Sequence, residues 1–324
     1  MSQSPQNDTA SPWHEGEKTL QASVGKLEKM DLIGRKVLRD HLPEQHSEFY
    51  TQLPYIMTGS VDAEGQVWAS VLAGEIGFIS CPTPTRMHIA AHISPEDPAF
   101  ENFKSGDGLG LLGIEFHTRR RNRINGRIDS ITPSGFDVHV EQTMGNCAKY
   151  IQDRDYELTR PLGTQSPHPP EITYVLDQSS IDLIRRSDSF YVASYVTQDN
   201  IQKVDVSHRG GKPGFVRVDD QGVLTIPDFT GNVFFNTLGN ILINGKAGLN
   251  FIDYETGDML QMTGQAEIVF DSPEIAQFAG AERLWTFKPS KIVRRKQALP
   301  FRWTFNELSP FVVNKGSWDV VSQV

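Results

Sequence analysis

Only two cysteines, Cys81 and Cys147, occur in 324 residues. That is too few for a disulfide framework, and neither belongs to a metal-type Cys-x-x-Cys pair. Reduced thiols in a cytoplasmic protein are the expectation. No run approaches the roughly 18 unbroken apolar residues of a membrane-spanning helix. The opening MSQSPQNDTASP lacks the basic start and apolar stretch of a secretory signal and reads as a disordered tail. Basic charge is in deficit as well: 31 Lys and Arg stand against 40 Asp and Glu, a net charge of −9. This argues against a general nucleic-acid binder, although a local basic site stays open. His14 and Glu15 have no partners at metal-ligand spacing, and no metal site is expected.

What remains is a globular composition, 38% hydrophobic and 10% aromatic, enough for two domains of ordinary size. Residues 14 to 50 carry apolar positions at helical intervals, with Gly25 and Gly34 as breaks and a short helix from Pro43 to Leu53. From Tyr55 the texture becomes β. Tyr55–Val61 and Val67–Leu72 flank the turn Asp62-Ala63-Glu64-Gly65, and short strands follow at Gly77–Ser80, Met87–Ala91, Gly108–Phe116 and Asn122–Ser130. Residues 145 to 170 are turn-rich and end in a proline-rich linker. A helix over Ser179–Ser187 leads into Phe190–Val196 and a further set of strands.

An internal repeat organises these elements. At an offset of 138 positions, residues 100–128 fall on 238–266 without a gap, with identities at Asn102/Asn240, Gly110/Gly248, Leu111/Leu249, Ile114/Ile252, Thr118/Thr256 and Gly126/Gly264. The polar positions diverge. Arg119, Arg120, Arg121 and Arg123 in the first copy face Gly257, Asp258, Met259 and Gln261 in the second. The expected organisation is a tail and helical extension over 1–50, a first unit over 51–145, a connecting segment over 146–180 and a second unit over 181–324.

With these segments set out, DVSHRGGKPGFVRV (205–218), LTIPDFTGNVFFNTLGNILINGKAGLNFID (224–253) and LQMTGQAEI (260–268) resemble the pyridoxamine 5′-phosphate oxidase-like family of FMN-binding split barrels. Within it the chain is similar to a subgroup with two units per chain. HTRRRNRINGR (117–127) and GNCAKYIQ (145–152) extend the likeness to the first half. The resemblance implies a mainly β (α+β) fold: two tandem split β-barrel units with short helices and a helical N-terminal extension. It implies FMN as cofactor and flavin-dependent oxidoreductase chemistry, with a small-molecule substrate or an electron donor such as NAD(P)H. Single-unit members form two-fold dimers with flavin at the interface, so a tandem chain could build that interface internally; further homodimerisation stays open. The basic phosphate clamp of the family's vitamin B6 oxidases is replaced in the second unit by amides and hydroxyls. That argues against this activity while leaving FMN.

The candidate cofactor residues are Ser207, Arg209, Asp228, Asn232, Asn236, Thr237, Asn240 and Gln261. A flavin phosphate is a dianion that needs converging N–H and O–H donors with a cation nearby. Thr230-Gly231-Asn232 before a helix, with Asn236, Thr237 and Asn240 beyond it, supplies donors. Ser207-His208-Arg209-Gly210-Gly211, read as a loop, supplies the cation, though an ordinary glycine-rich hairpin explains it equally. Asp228, next to Pro227 at a strand edge or bulge, and Gln261 are candidates for the flavin ring. Strand alternation places Arg119, Arg121 and Arg123 on one face and Arg120 on the other. Arg119 and Arg121, with Lys149 and Tyr150 on the following loop, would close the site or meet substrate. The same face could meet RNA, and the plain alternatives are an edge strand protected by charge or pairing with acidic residues elsewhere. Cys147 reads as a small buried residue, and no catalytic residue is identified. The alternative function is a non-catalytic flavin or haem carrier or redox sensor, with His88, His92, His117, His139 or His208 as a haem ligand.

Overall fold

The computed structural model describes residues 11–318, so the opening tail lies almost wholly outside it. The N-terminal extension forms α1 (Glu15–Ser23), α2 (Leu27–Val37) and α3 (Glu44–Thr51). Gly25 breaks the first two at φ +66, but Gly34 does not act as a break. It sits inside α2, where a Cβ would lie 2.7 Å from the Trp13 ring, so this glycine permits close packing.

The first half continues through β1 (Tyr55–Val61), β2 (Val67–Ala73), β3 (Ile79–Thr83), β4 (Arg86–Ile89), a 3-10 turn (Pro98–Phe100), β5 (Gly108–Glu115), β6 (Arg120–Thr132) and β7 (Gly135–Asn146). These strands form one antiparallel sheet in the order β2-β1-β5-β6-β7-β4-β3. After β8 (Asp153–Leu158), β9 (Glu171–Thr173) and α4 (Gln178–Arg186), the second half repeats the series. It runs through β10 (Ser189–Gln198), β11 (Ile201–Gly210), β12 (Arg217–Val218), β13 (Leu224–Phe229), α5 (Asn236–Asn244), β14 (Lys246–Ile252) and β15 (Met259–Val269). It ends with α6 (Pro273–Gln277), β16 (Ala281–Arg295) and β17 (Phe301–Glu307). Its sheet has the order β11-β10-β14-β15-β16-β13-β12, with β9 added on β16. Strand for strand this is the order of the first sheet. Both orders are open, running from edge to edge rather than closing into a barrel.

The glycines shared by the two copies sit at structurally matching places. Gly110 on β5 lies against the Asp205–Val206 backbone of β11, and a Cβ there would approach it to 2.8 Å. Reciprocally, Gly248 on β14 lies against β2, where a Cβ would come within 2.3 Å of the Val67 carbonyl oxygen. Gly126 and Gly264 mark the same bulge in the two sheets. The halves therefore meet backbone to backbone, which only residues without a Cβ allow.

Each sheet buries its own apolar face, around Trp68 and Phe136 in one half and Phe190 and Trp285 in the other. A third core is shared between them. Tyr55 and Phe116 pack there with Tyr191, Tyr254, Phe301 and Trp303. The segment expected as turns and linker contributes a strand to this junction, since β8 pairs with β17 near the end of the chain. Its DRDYEL sequence is largely exposed and polar, so local patterning gave no sign of so distant a partner.

Candidate functional site

Between the halves lies a cleft of about 990 Å³, open mouth included. One wall is β6 of the first half with the loop after β7; the other is β11, the end of β13 and the start of α5. Nine of the twelve candidate residues line it: Arg121, Lys149, Tyr150, Ser207, Arg209, Asp228, Asn232, Asn236 and Thr237.

The other three do not, each for a physical reason. Arg119 precedes β6 in a turn at φ +53, so strand alternation does not reach it; its guanidinium bonds the Ile151 carbonyl and Glu307 outside the cleft. Asn240, one turn into α5, is fully buried and donates to Ser194 and Asp205. Gln261 faces a separate buried cluster, donating to Asp97 and the Ala69 carbonyl. Two further expectations are corrected. Ser207–Gly210 is strand rather than loop, because β11 pairs with β10 to its last residue. Cys147 is exposed and lines the cleft, and both thiols are free.

Period-two alternation does hold from Arg121 onward, and it delivers Arg121 and Arg123 to one face. Arg123 is buried. It donates to Asp205 at 3.3 Å, to the Asn236 side-chain oxygen at 3.0 Å and to the Ser207 hydroxyl. Arg120 points the other way, its guanidinium 4.6 Å from the Phe49 ring centre. Arg121 has no carboxylate partner among the described residues. It donates to the carbonyls of Cys147 (2.8 Å), Lys149 (3.4 Å) and His208 (3.4 Å), and to His208 Nδ1 at 3.3 Å. Burial and the neighbouring Arg123 and Arg209 charges pull its pKa down to about 10. A cation so placed gains from any anion that enters.

His208 is buried, and burial with the Arg121, Arg154 and Arg209 charges holds its pKa well below the ordinary histidine value. Its ring is neutral at physiological pH. With Nδ1 accepting from Arg121, the proton sits on Nε2, which has no partner among the described residues. Asp228, at the β13 bulge, bridges Arg209 and Arg283 at 2.5 Å each. On the same side Tyr150 packs against Phe229, ring centres 5.4 Å apart, and donates to the Thr230 carbonyl at 2.8 Å.

Two features set the cleft apart. Five cations line it (Arg121, Arg123, Lys149, Arg209 and Arg283) against two carboxylates, Asp228 and Glu282, in a chain of net charge −9. Strained backbone gathers there as well: Tyr150, Val233 and Phe235 adopt φ of +68, +66 and +61. Non-glycine residues rarely tolerate this region, and it recurs at ligand sites.

The matching position in the other half is built differently. The repeat offset places Met259 and Gln261 where Arg121 and Arg123 stand, and the hairpin registers place Val71 and Leu72 at His208 and Arg209. A smaller cleft exists there, lined by Val71, Leu72, His92, Asp97, Met259 and Arg295. Its Asp97 carboxylate is engaged, accepting from Arg295 at 2.7 Å, Gln261 at 3.0 Å and the Ser70 hydroxyl, and Arg295 Nε is the one buried N–H of its lining without a partner among the described residues. Among the described residues no cluster of three or more metal-ligating side chains occurs, and no helix is long and apolar enough to cross a membrane.

Sequence reasoning places Arg123 on the ligand face beside Arg121 without assigning it to the site, and it passes over Asn146 and Arg283. Arg123 was legible from its alternation with Arg121, and Asn146 from the Gly-Asn-Cys-Ala-Lys-Tyr loop. Arg283 on β16 carried no local signal.

No family model matches the chain, and no curated protein matches it. Among solved structures it is similar to HupZ from Group A Streptococcus, at 16% identity and TM-score 0.28 over 42% of this chain and 98% of that one. A putative pyridoxamine 5′-phosphate oxidase from Corynebacterium glutamicum shares 17% identity at TM-score 0.28, over 40% of this chain and 100% of that one. HutZ, described as a heme storage protein from Vibrio cholerae, shares 15% at TM-score 0.26, over 37% and 95%. Likenesses this remote decide nothing about the ligand.

Proposed function

We propose that this chain is an FMN-binding oxidoreductase of the pyridoxamine 5′-phosphate oxidase-like type. In this reading two tandem split-barrel units, duplicated from one, hold a single flavin in the cleft between them. The observation that carries it is the donor surplus. Four side chains lining the cleft hold buried N–H groups with no partner among the described residues: Arg123 Nε, Asn146 Nδ2, His208 Nε2 and Arg209 Nε. All four are donors. A ligand that satisfies them is rich in acceptors, and the surplus of cations makes it an anion.

The aromatic side of the cleft narrows the class further. Tyr150, Phe229 and Phe235 line it beside the arginines, which suits a flat aromatic ligand with a phosphate. Arg121, Arg209, Lys149 and Asn146 would hold the phosphate, and the three aromatic side chains would flank the ring. To the second unit's Arg209 and Arg283, β6 and the loop after β7 of the first add Arg121, Arg123 and Lys149. Bound flavin would supply hydride or electron transfer, while the protein binds, orients and sets the field around it. A small-molecule substrate or NAD(P)H is the proposed partner, and the two free thiols fit a reducing cytoplasm.

Titration of FMN into the purified protein tests the reading. Flavin fluorescence should be quenched to saturation, and NAD(P)H should bleach the bound chromophore. Bleaching by dithionite alone would favour a carrier or sensor, and no uptake of FMN would end the proposal. One observation favours haem as the second reading: His208 presents a neutral imidazole in the cleft. A Soret band on addition of haemin, lost in His208→Ala, would move the assignment there.

A further inference from the structure

The strained segment of the cleft wall is gripped from behind by the N-terminal extension. Val233 and Phe235 both have positive φ, and between them Phe234 turns away from the cleft. Its buried ring packs 4.9 Å from the Trp13 ring, in a cluster completed by Met30 and Met144. Trp13 is fixed in turn, donating from its indole to the Met30 carbonyl at 2.9 Å and lying against Gly34. Gln21 donates to the Phe234 carbonyl at 3.4 Å. Glu17 accepts from the Asn236 amide at 2.5 Å, immediately after the strained residues.

The helices themselves are pressed together. A Cβ on Gly16 of α1 would lie 2.2 Å from the Gly239 carbonyl oxygen of α5, and one on Gly239 would lie 2.8 Å from the Glu17 nitrogen. Trp13, Glu17 and Gln21 are all buried by these contacts. A β-branched valine leaves positive φ readily unless its surroundings over-determine it. Within its own loop, the support shown is one hydrogen bond, from the Phe234 backbone N–H to the Asn232 side chain. Phe234 is restrained by α1, α2 and the core around Trp13, and Asn236 is shared between Glu17 of α1 and Arg123 of β6.

We propose that the N-terminal extension is a positioning clamp: through Trp13, Glu17 and Gln21 it imposes the strained course of residues 233–236 and so sets the shape of the ligand cleft. None of the three lines the cleft; they act through Phe234 and Asn236. The inference rests on the cleft's being a ligand site, but the conformation it concerns can be read without ligand.

Hydrogen exchange on the full-length protein tests it. In Trp13→Ala and Gln21→Ala, amides over 233–239 should exchange at least about tenfold faster than in wild type, while those of β5, β6, β14 and β15 keep their rates. Trp13→Phe, which retains a ring against Phe234, should restore slow exchange. Unchanged exchange over 233–239 in both variants would overturn the clamp. So would an even loss of protection across both sheets, which would make the extension ordinary core. Release of FMN, followed in parallel by fluorescence, should quicken about tenfold in Trp13→Ala. Failure of the wild type to bind FMN would count against the flavin reading alone, because the exchange result stands without it.

Discussion

Replacing Arg121 by methionine removes a cleft charge that has no carboxylate partner among the described residues and puts in its place the residue that the other half carries at the matching position, Met259. In the protein as it stands, Arg121 donates to three carbonyls and one imidazole nitrogen. Hydrogen bonds from a charged donor are worth about 1.5–3 kcal/mol each, against which stands the cost of holding this cation out of water. Their loss is offset by relief of a cation crowded by Arg123 and Arg209. The melting temperature should therefore move by no more than about 4 °C in either direction. Binding should change far more. A charge-assisted hydrogen bond to phosphate is worth about 1.5–3 kcal/mol, and each 1.4 kcal/mol is tenfold in Kd, so FMN should bind about 10- to 150-fold more weakly. The assay is a fluorescence titration at two ionic strengths, with Arg120→Met as the control, since Arg120 faces Phe49 instead of the cleft. Equal affinity in Arg121→Met and wild type, or equal losses in both variants, would refute the assignment of the anion site to this strand.

Three further outcomes follow from the same structure. Asp97→Ala strips the acceptor from Arg295, Gln261 and Ser70, and leaving that cation buried should cost about 3–5 kcal/mol in a denaturant titration; FMN affinity should hold, since this cluster belongs to the other cleft. Gly248→Ala drives a methyl into the Val67 carbonyl, and the overpacking should destabilise the junction between the halves by about 1–3 kcal/mol. Burial, chiefly, and then the Asp205 charge raise the Glu17 pKa to about 8. Because the folded-state pKa lies above the unfolded one, its contribution is fully present below about pH 4.5 and is lost as pH rises through about 8. Glu17→Gln should flatten that decline, and a stability profile between pH 5 and 9 that matches wild type would show that Glu17 is not the group responsible.

Local chemistry made the hairpins legible. Asp62–Gly65 gives the β1–β2 turn, and the extension's helices follow from apolar spacing with Gly25 as the break. The repeat was readable because its glycines answer to backbone contacts: Gly110 and Gly248 are where each half touches the other, so neither tolerates a side chain. Distant pairing was not readable. β8 depends on β17, and the polar sequence of β8 carries no trace of that partner. The candidate site divided along the same line. Ser207, Arg209, Asp228, Asn236 and Thr237 lie together because the second unit brings them together. Arg121 came from the other half, and its place opposite them depends on how the sheets pack. Asn240 and Gln261 were misplaced because an amide that could bind a ligand serves as well inside a buried network. The grip of Trp13 on Phe234 left no pattern in the sequence at all.

One flavin phosphate per chain, held in the cleft between the halves, is the proposal on which the other outcomes rest. A crystal structure of the protein with FMN tests it most directly. Its phosphate should lie among Arg121, Asn146 and Arg209 with the ring beside Tyr150, and the cleft around Asp97 and Arg295 should remain closed by its own side chains. FMN bound at Asp97 and Arg295, in both clefts, or in neither would contradict the account.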